Sequence, residues 1–191
     1  MVTSAWAYTT FVAAVGLERL GELALSKRNA RLAFERGGVE VGQGHYRVMA
    51  VLHTLFLAAC VAEVTLLDRP FPGAWGYVAL AVALLAQGLR YWAISTLGPR
   101  WNVRIVFVPG EGPVTAGPYR LVRHPNYVAV VLEMLAIPLI HGAWLTALVF
   151  SVANALLLTV RIRAEEAALG APYEAAFGQK PRFVPEVNRG V

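Results

Sequence analysis

Apolar runs long enough to cross a membrane alternate with short polar segments along this chain. A first helix is expected over residues 5–25, sufficient to span a hydrocarbon core of ~30 Å at about 1.5 Å per residue. Its last turns are polar: Glu18 and Glu22 lie four apart and share a face, with Arg19 beside them. Hydropathy then collapses in a loop holding Lys27, Arg28, Arg31 and Arg36 among four glycines. A second helix is expected over 46–67 and a third over 74–97, joined by a short loop with Asp68, Arg69, Pro70 and Pro72. Residues 98–124 are not membrane-like. Within them a β-branched run, 103–108, predicts a short extended stretch ending in tight turns at 109–113. Two further apolar runs, 127–140 and 144–160, are separated only by His141, Gly142 and Ala143, which predicts an antiparallel helical hairpin. The tail carries Arg163, Lys180, Arg182 and Arg189.

Composition turns that pattern into a fold class. With 57% hydrophobic and 15% charged residues, and the apolar ones in blocks, the chain is expected to be an all-α integral membrane protein of one domain, residues 1–191. Five crossings are expected, with 1–97 supplying three helices and 98–191 the remainder. The net charge of +5 does not point to nucleic acid, because the basic residues flank hydrophobic blocks instead of forming one soluble patch. By the positive-inside rule they place the N-terminus outside and the C-terminus in the cytoplasm. Cys60, the single cysteine, lies inside an apolar run, so no disulfide or thiolate metal site is expected. His45, His53 and His141 show no metal-ligand spacing. Trp75, Trp92, Trp101 and Trp144 fall near helix ends and are expected in interfacial belts. The first apolar block lacks a basic n-region and a small-residue cleavage site, so it is not read as a removed signal peptide.

The chemistry concentrates in Gly117-Pro118-Tyr119-Arg120-Leu121-Val122-Arg123-His124-Pro125-Asn126-Tyr127. Pro125 suits the first position of a helix, whose N-terminus would face Arg120, Arg123 and His124 and make an anion-binding corner at a membrane surface. A basic anchor touching lipid phosphates needs charge, but not this order of side chains. A second cluster, Arg161, Arg163, Glu165 and Glu166, begins where the last helix leaves the membrane; Arg161 and Glu165 share a helical face, so an acid can orient a guanidinium. The hairpin between the clusters would bring them to one cleft. The intramembrane charges Glu18, Glu63, Arg90 and Glu133 must face protein or water; they either pair, for example an acid of the first helix with Arg90, or serve a substrate.

Gly117-Pro118-Tyr119, then Arg123-His124-Pro125-Asn126-Tyr127, then Arg161 with Glu165-Glu166 resemble the C-terminal half of the isoprenylcysteine carboxyl methyltransferase family. The Arg-His-Pro-x-Tyr element also resembles membrane sterol reductases that bind NADPH. The N-terminal half, with Glu18-Arg19, Glu22, Ser26-Lys27-Arg28-Asn29, Gly37-Gly38-Val39-Glu40 and His45-Tyr46, more closely resembles a bacterial branch found beside polyketide synthases, whose members O-methylate alkylpyrones or alkylresorcinols.

The resemblance implies methyl transfer from S-adenosylmethionine to a carboxylate or acidic hydroxyl of a lipophilic acceptor, at the cytoplasmic face of a bacterial inner membrane. It assigns cofactor contact to Tyr119, His124, Pro125, Asn126 and Tyr127, and activity to Arg123, Arg161 and Glu165. Arg90, Glu133 and Glu166 are the candidates for substrate binding; no metal is expected. A polyketide synthase is the expected pathway neighbour. Eukaryotic members carry further acids where this chain has Arg163 and Ala164, which weighs against a prenylcysteine acceptor. An NADPH-dependent reductase and a non-enzymatic binder of anionic lipid are the alternatives.

Overall fold

The computed structural model describes residues 2–184; Arg189 lies outside them. Five helices stand in the expected order: α1 (Val2–Glu35), α2 (Gln43–Leu66), α3 (Ala74–Leu97), α4 (Pro125–Leu139) and α5 (Trp144–Phe177). Two short strands, β1 (Val39–Val41) and β2 (Ile105–Phe107), pair antiparallel with Glu40 opposite Val106. By length and composition α2, α3 and α5 can each cross a membrane. The 34-residue α1 carries Glu18, Arg19 and Glu22 amid its apolar residues, and the 15 residues of α4 reach about 22 Å.

The α1–α2 connection and the α3–α4 connection meet through the β1–β2 pair, and the C-terminal segment joins them: the Arg123 and His124 amides donate to the Pro181 and Arg182 carbonyls at 3.0 and 3.2 Å. All the basic segments described therefore share one end of the bundle. At the other end the two short loops pack together, and a Cβ on Gly76 would lie 2.7 Å from the Ile140 carbonyl.

Two helices run further than the hydropathy predicts. The segment from Lys27, expected as loop, stays helical to Glu35, because no glycine or proline interrupts it before Gly37 and because its inner face is anchored. Asn29 donates to the Trp101 carbonyl at 2.8 Å, and Ser26 Oγ donates to Asn102 Oδ1 at 2.6 Å. The same anchoring buries Trp101 to 2% exposure, so it belongs to the core and not to an interfacial belt. Trp75, Trp92 and Trp144 are exposed as expected. Likewise α5 continues past Val160 to Phe177, with a break at Gly170 (φ 62°, ψ −152°) followed by Pro172, which is tolerated in the first turn of the helical segment that restarts.

The apolar core occupies the end with the short loops: Tyr8 and Val12 of α1, Phe56 and Val64 of α2, and Met134 and Ile137 of α4 are buried there. On α3, Gly76, Ala79, Ala83, Ala86 and Ala93 form a buried stripe of small side chains that lets α4 approach closely. Arg90 interrupts that stripe. Its Nε and Nη2 both donate to Glu22 at 2.6 Å, and its Nη1 lies 3.5 Å from Glu133. Arg19 donates to Glu22 at 2.8 Å and to Glu133 at 3.1 Å, and Gln87 bonds Glu18. The intramembrane charges thus tie α1, α3 and α4 together. Glu63 works at the opposite end: it accepts the Leu145 and Thr146 amides at 3.2 and 2.7 Å, capping α5, and pairs with Arg69.

Replacing Arg90 with Met leaves the Glu22 carboxylate buried without its main partner, a loss on the order of 3–5 kcal/mol. The Arg90→Met protein is expected to melt in detergent well below both the parent and the Glu22→Gln, Arg90→Met double variant. Equal midpoints for the single and double variants would show that the cluster acts through shape and not through charge.

Candidate active site

Towards the basic end the helices diverge around a cavity of about 760 Å³. Its walls come from α1, α2, the second half of α3, the α3–α4 connection, the start of α4 and the second half of α5. Pro125 is the first residue of α4, as its fixed φ and missing N–H favour. The Tyr127 and Val128 amides bond back to the His124 carbonyl at 3.0 and 3.1 Å, which fixes the orientation of this first turn. Gly117, at φ 54°, starts the 3₁₀ turn Gly117–Arg120; a Cβ there would collide with the Thr96 side chain, so only glycine lets this turn lie against the end of α3.

The two clusters expected from the sequence meet on one wall. Arg161 of α5, 4% exposed, donates through Nε to the Tyr127 hydroxyl at 2.9 Å and through Nη2 to the Val103 carbonyl at 2.6 Å. The Tyr127 hydroxyl in turn donates to Glu165. Glu165 thus reaches Arg161 through Tyr127, a link that the i, i+4 spacing alone does not reveal. Arg161 Nη1 is buried without a hydrogen-bond partner, and so is Asn126 Oδ1 in the first turn of α4. Both residues line the cavity.

Beside this wall stands an aromatic group. The His124 ring stacks on Tyr127 at 5.2 Å, and Tyr173 lies 6.1 Å from His124 and 4.8 Å from Phe177. His124 Nε2 is 3.1 Å from Glu166 Oε1 and 3.3 Å from the Tyr173 hydroxyl. Tyr119 packs with Tyr173 and Phe177, and burial, followed by the nearby Glu165 and Tyr173, pushes its hydroxyl above the ordinary tyrosine range. Tyr173 is not indicated by motif; its only signal is the aromatic pair Tyr173 and Phe177 at helical spacing.

The other candidates take different places. Arg123 lines the cavity, but its guanidinium donates to the Lys180 and Gly178 carbonyls at 2.6 and 2.8 Å, so it fastens the C-terminal segment behind the site. Glu166 is held bidentately by Arg182 at 3.0 and 2.6 Å and, unlike Glu165, is not on the cavity wall. Arg90 reaches the cavity with Arg19 and Glu22, whereas Glu133 sits behind them.

What can such a cavity hold? Unfilled polar atoms at one end call for an anionic or amide-like ligand group, and the ring surfaces suit a flat heterocycle. The apolar part of the lining, from Ala13, Gly16, Leu17 and Leu20 of α1 and Ala50 and Leu57 of α2, suits an alkyl chain. Among the described residues no group of three or more His, Cys, Asp or Glu is arranged to hold a metal ion.

Comparison with known proteins bears on the same segments. The family model of the isoprenylcysteine carboxyl methyltransferase (ICMT) family matches residues 78–171. An uncharacterized protein, YpbQ, of Bacillus subtilis (strain 168) is 42% identical over 158 residues, covering 83% of this chain and 94% of its own length. An uncharacterized protein of Haemophilus influenzae is 27% identical, covering 79% of this chain and 88% of its own. The cobalt-zinc-cadmium resistance protein CzcN of Cupriavidus metallidurans is 28% identical over 60% of this chain and 55% of its own length.

Arg123 bridges two carbonyls with a planar fork, a geometry that lysine does not reproduce. In Arg123→Lys, amide hydrogen exchange over residues 178–184 is expected to rise at least severalfold while α2 and α3 stay protected. Unchanged exchange in that segment would remove the fastening role.

Proposed function

The chain belongs to the isoprenylcysteine carboxyl methyltransferase family and is a membrane methyltransferase; from that premise we propose that it moves a methyl group from S-adenosylmethionine to a carboxylate or acidic hydroxyl oxygen of a lipophilic acceptor. The observation that carries this reading is Arg161. Its guanidinium is buried and aligned by two bonds to protein, and its remaining nitrogen has no partner on the wall of a cavity that also offers an alkyl-sized groove. Buried donors are ordinarily satisfied, so a ligand oxygen is the natural completion.

The residues present fit the cofactor. The His124, Tyr119 and Tyr173 rings offer faces to the adenine, and the first turn of α4 with Asn126 offers polar atoms and a positive helix end to the amino-acid moiety. When bound, S-adenosylmethionine supplies an electrophilic methyl group on a sulfonium sulfur. Arg161 holds the acceptor oxygen, Tyr127 and Glu165 keep Arg161 in place, and the apolar walls exclude water. An ionised acceptor needs no strong base. Alignment of the two bound molecules is the main demand, and good alignment is worth about 7–11 kcal/mol.

Access follows from the two kinds of wall. The alkyl chain enters between α1 and α2 from the bilayer, and the cofactor enters from the basic end, which the positive-inside rule puts in the cytoplasm of a bacterial inner membrane. The motifs of the N-terminal half favour an alkylpyrone or alkylresorcinol acceptor made by a polyketide synthase. The NADPH reductase reading has no observation of its own in this cavity.

Calorimetry on detergent-purified protein tests this. Saturable binding of S-adenosylhomocysteine is expected, lost in His124→Ala and kept in Arg161→Ala and Arg161→Lys. Both Arg161 variants should lose about 100-fold or more of methyl transfer to an alkylpyrone, alkylresorcinol or fatty-acid acceptor, as for removal of a charge-stabilising donor. Binding of NADPH without S-adenosylhomocysteine would replace this reading with the reductase. Binding of neither would leave a binder of anionic lipid.

A further inference from the structure

His53 of α2 lines the same cavity and takes no part in the arrangement above. Its Nδ1 lies 2.8 Å from the Met49 carbonyl oxygen, one helical turn back. A carbonyl only accepts, so Nδ1 carries a proton, and in the neutral ring the lone pair is on Nε2. No side chain or backbone group among the described residues bonds Nε2, and the ring that carries it is only partly buried and lines the cavity.

The charged and titratable groups that line the cavity with His53 include Arg19 and Glu22 of α1, Arg90 of α3, Tyr127 of α4, and Arg161 and Glu165 of α5. His53 thus shares one cavity with the arginine assigned to the acceptor oxygen. The other basic atoms on this wall are committed: Glu22 to Arg90 and Arg19, Glu165 to Tyr127, and His124 Nε2 to Glu166 and Tyr173.

A carboxylate acceptor would leave His53 idle. A phenol or enol would not, because its proton must leave as its oxygen is methylated. We propose that His53 Nε2 takes that proton, which makes a weakly acidic hydroxyl on an alkyl-bearing ring the acceptor class; this rests on the methyl-transfer reading above. The O–H bond breaks with its proton passing to Nε2 and its electron pair forming the new O–CH3 bond. The S–CH3 bond of the donor breaks with its pair staying on sulfur, so the sulfonium charge ends as imidazolium.

Two readouts test His53 in the parent protein, His53→Phe and His53→Gln, after S-adenosylhomocysteine affinity has shown that both variants are folded. The first needs no turnover: a 4-alkyl-2-nitrophenol is bound at a pH one unit below its free pKa. The parent is expected to bind it as the phenolate, recognised by its red-shifted and stronger absorption, and both variants as the neutral phenol. The second is the pH profile of methyl transfer to an alkylresorcinol. At neutral pH kcat should fall about 100-fold or more in both variants, within the range of general-base contributions, and the deficit should close as the pH passes the acceptor's own pKa. Phenolate in the variants as in the parent, or a deficit independent of pH, would overturn the role of His53 while leaving methyl transfer intact. Failure of the parent itself to bind S-adenosylhomocysteine would overturn both readings.

Discussion

A charged side chain inside a hydrocarbon layer has to bring its partner with it, and in this protein that constraint holds the helices in place. Arg90 stands in the middle of a stripe of small residues, where α3 and α4 otherwise approach closely. Packing the two helices around a guanidinium is possible only because Glu22 of α1 receives two of its N–H groups and Glu133 of α4 lies beside it. With Arg19 joined to both acids, the charges form one buried cluster on three helices. Lipid offers no hydrophobic gain for bringing helices together, so close packing and such polar pairs have to supply the association. The cluster also marks a boundary: below it the core is apolar, and above it the bundle opens into the cavity.

The open end is held by backbone carbonyls as much as by side-chain pairs. Asn29 of α1 takes the Trp101 carbonyl, Arg161 of α5 the Val103 carbonyl, and Arg123 the carbonyls of Gly178 and Lys180. The first two bonds fasten an irregular segment to a helix and those of Arg123 tie two irregular segments together, which is how non-helical backbone can stand over a cavity without being free to collapse into it. The β1–β2 pair adds a further clasp between two connections far apart in sequence. The result is a rim made largely of loops, with the cavity-lining side chains of the helices beneath.

Much of this was legible in the sequence, for identifiable reasons. Pro125 announced the start of α4, and the three residues between the last apolar runs announced the hairpin, because both are local rules of chain geometry. The meeting of Arg161 with the Arg-His-Pro-Asn-Tyr segment followed from that hairpin. Hydropathy failed at the two helix extensions, since it reports where lipid ends and not where helical hydrogen bonding ends. Lys27 to Glu35 leaves the apolar region and remains helical because Ser26 and Asn29 grip a distant connection, a fact no local window contains. Trp101 was misplaced for the same reason. The pairing of β1 with β2 and the position of Tyr127 between Arg161 and Glu165 are likewise tertiary facts.

Arg161 illustrates how such a site can be both built and incomplete. Two of its nitrogens are spent on Tyr127 and Val103, which fixes the plane of the guanidinium before any ligand arrives. The third is left with no partner, which is unfavourable in isolation because a buried donor without an acceptor forfeits its hydration. A fully paired arginine at this position would stabilise the fold and have nothing to offer an oxygen. A fully exposed one would be free to bond, but it would have to be ordered at the moment of binding, at the cost of its rotamer freedom. The arrangement in this protein lies between those limits: the orientation is set by the fold, and one bond on the cavity wall is left unmade.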